Sequence, residues 1–147
     1  MNIPTAIQES VLKLLKLEPS AASIQSFTPA SGGCINNGGK LSTSSGNYFL
    51  KWNSSMRFPG MFAAEARGLK LLRNSKSIYI PGVIGSGENG EYQFLLLEYI
   101  DQPSAFTKSH WIDFGNRLAQ LHKTTSLLFG LDHNNYIGSL VQSNKTS

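Results

Sequence analysis

The stretch Asn47-Tyr48-Phe49-Leu50-Lys51-Trp52 decides the fold, because it is a short apolar run that contains a single lysine. Its aromatic and branched residues favour a β-strand, and the preceding Ser44-Ser45-Gly46 is typical of a turn. Alternate side chains of a strand lie on opposite faces, so Phe49 and Lys51 share one face. An ammonium group among apolar neighbours is unfavourable unless an anion binds it. We therefore expect Lys51 to contact a carboxylate of the protein or a phosphate of a ligand.

The segment from Pro59 to Arg73 offers a carboxylate for this lysine. Pro59 can begin a helix, and apolar residues then recur at helical spacing on one face: Phe62, Ala66, Leu69 and Leu72. Glu65 lies on that same face. A lysine within an apolar strand, followed by a glutamate on the buried side of the next helix, is the pattern of an ion pair that positions a phosphate-binding lysine. The alternative is that Lys51 extends to solvent from an edge strand and that Glu65 lies at the rim of its face.

Composition limits the classes of function. A chain of 147 residues, 40% hydrophobic, can bury one core. The net charge is +4, but the basic residues are scattered, which argues against a nucleic-acid interface. The single cysteine, Cys34, excludes an internal disulfide and a cysteine-based zinc site. No secretory signal is visible and no segment approaches the roughly 20 apolar residues that span a bilayer, so we expect a cytoplasmic protein without membrane contact.

The remaining sequence predicts an ordered series of elements. They are a helix at 4–17, strands at 23–29, 40–43 and 47–52, a helix at 59–73, strands at 78–87 and 92–100, and a helix at 109–123. The run 92–100 is the most apolar and should be covered on both faces. Gly32 and Gly33 lie between the first two strands, where they allow either an ordinary hairpin turn or a close approach of backbone amides to phosphate oxygens. The fold class predicted is α+β, with a five-stranded antiparallel sheet, a glutamate-bearing helix, an N-terminal helix and a C-terminal helical segment.

Five stretches, in this order, resemble the fructosamine kinase (ketosamine-3-kinase) family. They are Ser31-Gly32-Gly33-Cys34-Ile35-Asn36, Phe49-Leu50-Lys51-Trp52-Asn53, Met61-Phe62-Ala63-Ala64-Glu65-Ala66, Leu118-Ala119-Gln120-Leu121-His122, and Asn135-Tyr136-Ile137-Gly138 with Gln142. The resemblance covers nearly the whole chain. It implies a protein-kinase-like fold in which residues 1–103 form the small lobe and residues 104–147 begin the large lobe.

The resemblance also implies a reaction and a set of site residues. In such a kinase Gly32 and Gly33 would cover the phosphates of ATP, Lys51 would engage them, and Glu65 would orient Lys51. The backbone of Leu97, Glu98 and Tyr99 would meet the adenine. The γ-phosphate would pass, with Mg²⁺, to the 3-hydroxyl of a sugar ketoamine on an amine or a protein lysine, a step in protein deglycation.

The sequence departs from the family where catalysis takes place. None of its three histidines, His110, His122 and His133, is followed by the Gly-Asp of the family's catalytic loop, and its aspartates Asp101, Asp113 and Asp132 are scattered. We therefore expect a chain that ends before the catalytic loop, lacks metal ligands and is inactive alone. The alternative is a non-catalytic module that binds nucleotide or associates with itself.

A homodimer is the oligomeric state that the sequence favours. The helix at 109–123 places Trp111, Phe114, Leu118 and Leu121 on one face, and Tyr136, Ile137 and Leu140 follow in the tail. Without a large lobe to cover them, these side chains would form an exposed apolar surface. Such a surface is rarely tolerated on a soluble monomer, so we expect a second copy to cover it.

Overall fold

The computed structural model describes residues 2–19, 23–32, 35–101, 103 and 105–146, which leaves Gly33 and Cys34 outside the described residues. Within these residues there are three helices: α1 (Thr5–Leu15), α2 (Met61–Asn74) and α3 (Lys108–His122). Strands of the main sheet are β1 (Ile24–Pro29), β2 (Asn37–Thr43), β3 (Gly46–Ser54), β4 (Val83–Asn89) and β5 (Tyr92–Glu98). A separate hairpin follows α3, formed by β6 (Asn135–Ile137) and β7 (Leu140–Gln142).

The five-stranded sheet is antiparallel and has the order β1-β2-β3-β5-β4. The lysine strand β3 is therefore central, with Gly38 of β2 opposite Lys51 on one side and Leu95 of β5 opposite it on the other. A lysine on a central strand cannot reach solvent along a sheet edge. This position excludes the edge-strand interpretation of Lys51.

Each face of the sheet is covered by one helix. On one face, Leu50 and Trp52 of β3 pack with Ile7 and Val11 of α1. On the other face, Phe49 packs with Phe62 of α2. The strand β5 serves both cores, because Phe94 and Leu96 belong to the α1 side whereas Leu95 and Leu97 belong to the α2 side. The prediction that this apolar strand is covered on both faces is confirmed.

The glycines of β2 allow two strands to approach closely. A Cβ atom on Gly39 would lie 2.3 Å from the carbonyl oxygen of Thr28 in β1, so no larger residue fits there without moving the backbone. A Cβ atom on Gly38 would make only ordinary contacts, at 3.6 Å from Lys51 and from the Phe49 ring. Gly39 is thus required by the β1-β2 pairing, and Gly38 leaves space over the lysine.

The region after the sheet is organised differently. No residue of α3 is buried, and Trp111 and Phe114 are 57% and 41% exposed. Both aromatic rings join Phe106 and His110 in a chain of edge and tilted contacts. The β6-β7 hairpin, which the sequence did not predict, packs against α2. Among the described residues, no helix is long and apolar enough to cross a membrane.

Candidate functional site

The site is built around an ion pair between β3 and α2. The ammonium nitrogen Nζ of Lys51 donates to both carboxylate oxygens of Glu65, at 2.7 Å and 2.8 Å. Both side chains are largely shielded, with 22% and 31% of their surface exposed. The ring of Phe62 lies 5.6 Å from the same nitrogen and supports its charge from the apolar side. The sequence predicted this pairing from the strand and helix periodicities, and the structure contains it.

A cavity of about 720 Å³ lies beside the ion pair, between the end of β1, the face of the sheet and the segment that leaves β5. Its wall contains five of the predicted site residues: Lys51, Glu65, Leu97, Glu98 and Tyr99. Further lining residues are Thr28, Pro29, Ala30, Ser31, Lys40, Phe49, Leu69, Pro81 and Ile100. The cavity is therefore apolar over most of its wall, and Lys51 lies on the side of the connection between β1 and β2.

The glycine-rich connection lies next to this cavity. Gly32 has a positive φ of 92° and borders a smaller cavity of about 330 Å³, which shares Phe49 and Lys51 with the larger one. A residue with a side chain would be strained at that φ, so the turn requires a glycine. The other predicted loop residue, Gly33, lies outside the described residues.

Glu98 already uses several of its polar groups. Its backbone amide donates to the carbonyl of Gly82 at 2.8 Å. Its carboxylate accepts from the hydroxyl of Tyr79 and from the amide of Gly82. These two hydrogen bonds hold the pKa of the Glu98 carboxyl below its usual range, and the same carboxylate raises the pKa of Tyr79. A ligand in the cavity cannot accept from the Glu98 amide without breaking the bond to Gly82.

The cavity contains a second cation, Lys40, that was not predicted from the sequence. Lys40 lies opposite Phe49 in the β2-β3 pairing, and its Nζ is 4.7 Å from the centre of the Tyr99 ring. Ser44 and Ser45 form the two-residue turn of this hairpin, since Thr43 pairs with Gly46. If the turn had been assigned to Ser44 and Ser45 from the sequence, Lys40 would have been predicted on the same face of the sheet as Lys51. Ile100, one residue beyond the predicted backbone segment, was also missed.

A family model described as fructosamine kinase matches residues 7–147. The chain belongs to the fructosamine kinase family. It is 32% identical over 145 residues to the chloroplastic protein-ribulosamine 3-kinase of Arabidopsis thaliana, covering 95% of this chain and 43% of that protein. It is also 32% identical over 145 residues to a protein of Synechocystis named a probable ketoamine kinase, covering 98% and 48%. The chain thus spans about half the length of these curated relatives.

A solved structure supports the same assignment. The crystal structure of a protein assigned as a fructosamine-3-kinase from Haemophilus somnus 129PT superposes with a TM-score of 0.80 at 27% identity. The match covers 97% of this chain and 47% of that one. The predicted α+β fold class, a protein-kinase-like small lobe with a five-stranded antiparallel sheet, is confirmed.

The donor groups of the cavity fit a nucleotide better than a metal ion. Two lysines and an apolar wall match a phosphate chain and a base. The carboxylates that line the cavity are those of Glu65, which is paired with Lys51, and Glu98, which is bonded to Tyr79 and Gly82. Over the described ranges, no group of three or more histidine, cysteine, aspartate or glutamate side chains could hold a metal ion. These residues do not fit a magnesium site.

Proposed function

We propose that this chain forms the nucleotide-binding part of an ATP-dependent kinase that acts on sugar ketoamines. The observation that carries the proposal is the two-pronged Lys51-Glu65 contact at the wall of a cavity of about 720 Å³. Phosphoryl transfer depends on electrostatic positioning of the phosphates, and a lysine held by a helix glutamate supplies it. The names of the two relatives, a ribulosamine 3-kinase and a ketoamine kinase, support the acceptor class.

The proposed binding mode assigns one role to each part of the cavity. Lys51 would neutralise phosphate oxygens while Glu65 keeps its ammonium group from moving toward solvent. Lys40 would supply a second positive charge on the same face of the sheet, at the Tyr99 end of the cavity. The base would lie against Leu97, Tyr99 and Ile100, where the wall is apolar. The backbone at Gly32 would lie beside the phosphates.

Calorimetry with ATP tests this binding mode. We expect weak binding, with a dissociation constant above about 10 μM, because one open cavity wall buries little of the ligand. Lys51→Met should abolish the binding heat, and Lys13→Met, which removes an exposed lysine of α1, should leave it unchanged. Binding that survives Lys51→Met, or a submicromolar constant, would contradict the proposed mode.

We propose further that the 147-residue chain alone does not transfer the phosphate. Transfer needs a base near the acceptor hydroxyl and ligands for Mg²⁺, and the sequence contains no His-Gly-Asp. In the whole kinase the acceptor would be the 3-hydroxyl of a fructosamine or ribulosamine. An assay with fructosyl-lysine, ATP and Mg²⁺ should show no turnover. Turnover that Lys51→Met abolishes would overturn this part of the proposal.

The exposed apolar side chains of α3 and of the segment after it support a second property, association into a homodimer. Exposed apolar side chains are concentrated in α3 and in the segment after it: Trp111, Ile112, Phe114, Leu127, Leu128, Phe129, Ile137, Leu140 and Val141. A second copy offers an identical apolar surface and can bury both. Because the chain has one cysteine, we propose that it is located in a reducing compartment, the cytoplasm. The proposed dimer needs no disulfide.

Light scattering in the presence of reducing agent tests the dimer. The unsubstituted chain should have the mass of two copies at tens of micromolar. Trp111→Asp should give a monomer, because a charge in a desolvated contact is strongly unfavourable. Leu71→Asp is the matched control, since Leu71 is 54% exposed but lies on α2. A monomer that binds no apolar dye would contradict the proposal.

A further inference from the structure

The β6-β7 hairpin contacts both elements that border the phosphate side of the cavity. Toward α2, the hydroxyl of Tyr136 donates to the carbonyl of Pro59 at 2.9 Å, directly before the helix. Three residues before β6, Asp132 also contacts α2, where it accepts from the guanidinium of Arg67 at 2.7 Å. Toward the glycine-rich connection, the turn at Gly138 lies against the side chain of Ile35, which would be 3.4 Å from a Cβ atom on that glycine. The hairpin therefore bridges the glycine-rich connection and the helix that carries Glu65.

The hairpin is itself held together by side-chain hydrogen bonds. The side-chain amide of Asn144 donates to the carbonyl of His133 and to the side-chain oxygen of Asn135. Its backbone amide donates to the side chain of Asn134 at 3.0 Å. These bonds join Asn144, two residues after β7, to the first residue of β6 and to the two residues before it. Because these bonds hold the hairpin in one conformation, it can restrict the movement of α2, which it contacts.

Asp132 is anchored on both of its oxygens. One accepts from Arg67, and the other lies 2.6 Å from Nδ1 of His133, whose side chain is only 11% exposed. The hydrogen bond with His133 and the nearby Arg67 charge hold the pKa of Asp132 below its usual range. The carboxylate is then ionised at neutral pH and Nδ1 of His133 donates to it. Arg67 lies two residues after Glu65 in α2, and this exposed ion pair links the helix to the segment before β6.

The beginning of helix α2 is held by groups outside the helix. Its N-cap is Gly60 at a positive φ of 70°, which offers no side-chain cap. The amide of Met61 donates to the carbonyl of Phe58 at 3.2 Å, and the amide of Phe62 donates to the side-chain oxygen of Gln93 at 3.4 Å. The Tyr136 bond to Pro59 fixes the chain there, and the Arg67-Asp132 pair fixes the next turn.

Behind the ion pair, a second cavity of about 440 Å³ lies between α2, the hairpin and residues Ile35 and Asn36. Lys51 and Glu65 border both this cavity and the larger one. Leu131, His133, Asn135 and Tyr136 also line this second cavity, so the segment around β6 faces α2 beside the ion pair.

We propose that Tyr136 and Asp132 are positioning residues for the nucleotide lysine. They hold α2 in place, and through it the Glu65 carboxylate that orients Lys51. The inference rests on the proposed role of Lys51 in ATP binding. The residues that position Lys51 would then lie about eighty residues beyond it in the sequence, outside the sheet and the helix that form the cavity.

A double-mutant cycle on ATP affinity tests this inference. Tyr136→Phe combined with Asp132→Asn should raise the ATP dissociation constant about threefold to tenfold, the range expected for lost hydrogen bonds. In a Glu65→Gln background the same pair should change it less than about twofold, since the residue it acts through is gone. Asp113→Asn is the matched control, because it removes an Arg-Asp pair of equal length, 2.7 Å, from α3.

The outcomes separate the inference from the proposed function. If Lys51→Met leaves ATP affinity unchanged, the proposed function fails. If Lys51→Met abolishes binding but the hairpin variant has no effect, or an equal effect in both backgrounds, the positioning role is wrong. Hydrogen exchange of the nucleotide-free protein gives a second measurement: the amides of residues 62–69 should exchange faster in the hairpin variant than in the Asp113→Asn control. Equal exchange would overturn the inference.

Discussion

Helices α2 and α3 both carry apolar residues at helical spacing, yet α2 buries Met61, Phe62 and Ala66 whereas no residue of α3 is buried. The difference comes from their surroundings. Helix α2 lies on a sheet face that offers Phe49, Leu95 and Leu97. Helix α3 follows the sheet after a short connection, and its aromatic residues contact one another instead of a core.

Amphipathic spacing shows which side of a helix should be covered, but it does not identify the surface that covers it. For α2 the sheet precedes and follows the helix in sequence, so the partner is evident. For α3 the described chain supplies no covering element, and the apolar side remains exposed. The first region should therefore determine stability and nucleotide binding, and the second should determine association.

Truncation of one phenylalanine in each helix should give the largest contrast. Phe62 of α2 is 1% exposed and Phe114 of α3 is 41% exposed. Phe62→Ala should lower the free energy of unfolding by about 3 to 5 kcal/mol, through lost burial and the cavity left behind. Phe114→Ala should change it by less than about 1 kcal/mol. Urea unfolding measures both changes, at a protein concentration below the tens of micromolar at which we expect the dimer. Equal losses would show that α3 has a buried side.

A helix glycine in each region gives a smaller and more selective contrast. Gly68 of α2 and Gly115 of α3 both have open space where a Cβ atom would lie. Alanine should stabilise either helix by about 0.5 to 1 kcal/mol, through backbone entropy. For Gly68→Ala this gain should appear in the unfolding of the core, monitored by the buried Trp52 in a Trp111→Phe background. For Gly115→Ala it should appear only as added helical circular dichroism. A core gain from both would mean that α3 unfolds together with the sheet.

The smallest effect is expected at Glu98, the last residue of β5, after which the chain leaves the sheet toward α3. The hydrogen bond from Tyr79, followed by that from the Gly82 amide, holds the pKa of this carboxyl below its usual range. A lowered folded-state pKa stabilises the protein above the carboxyl's ordinary pKa, and that contribution is lost as pH falls through the lowered value. Tyr79→Phe should raise the Glu98 pKa toward its ordinary range and slightly reduce stability at neutral pH. Carboxyl carbon NMR measures the shift, and an unchanged pKa would contradict it.

Local periodicity was enough to predict the core of the site. The alternation around Lys51 and the helical spacing around Glu65 each point to a buried face, and the two faces meet in the structure. Lys40 required the register of a hairpin, which periodicity does not fix. The bonds between the tail and α2, such as that between Arg67 and Asp132, join residues far apart in sequence. Strands of three residues, as in β6 and β7, are too short to show an alternating pattern. Leu72, predicted on the apolar side of α2, is 40% exposed because it lies near the helix end.

Amide chemical shifts during titration with a non-hydrolysable ATP analogue test the central claim most directly. If the sheet and α2 form the nucleotide site, shifts should concentrate at Ala30, Lys51, Leu97 and Ile100, which line the cavity of about 720 Å³. The amides of α3 should not move, and Lys51→Met should remove the cavity shifts. Shifts confined to α3, or an unperturbed cavity at millimolar analogue, would contradict the account.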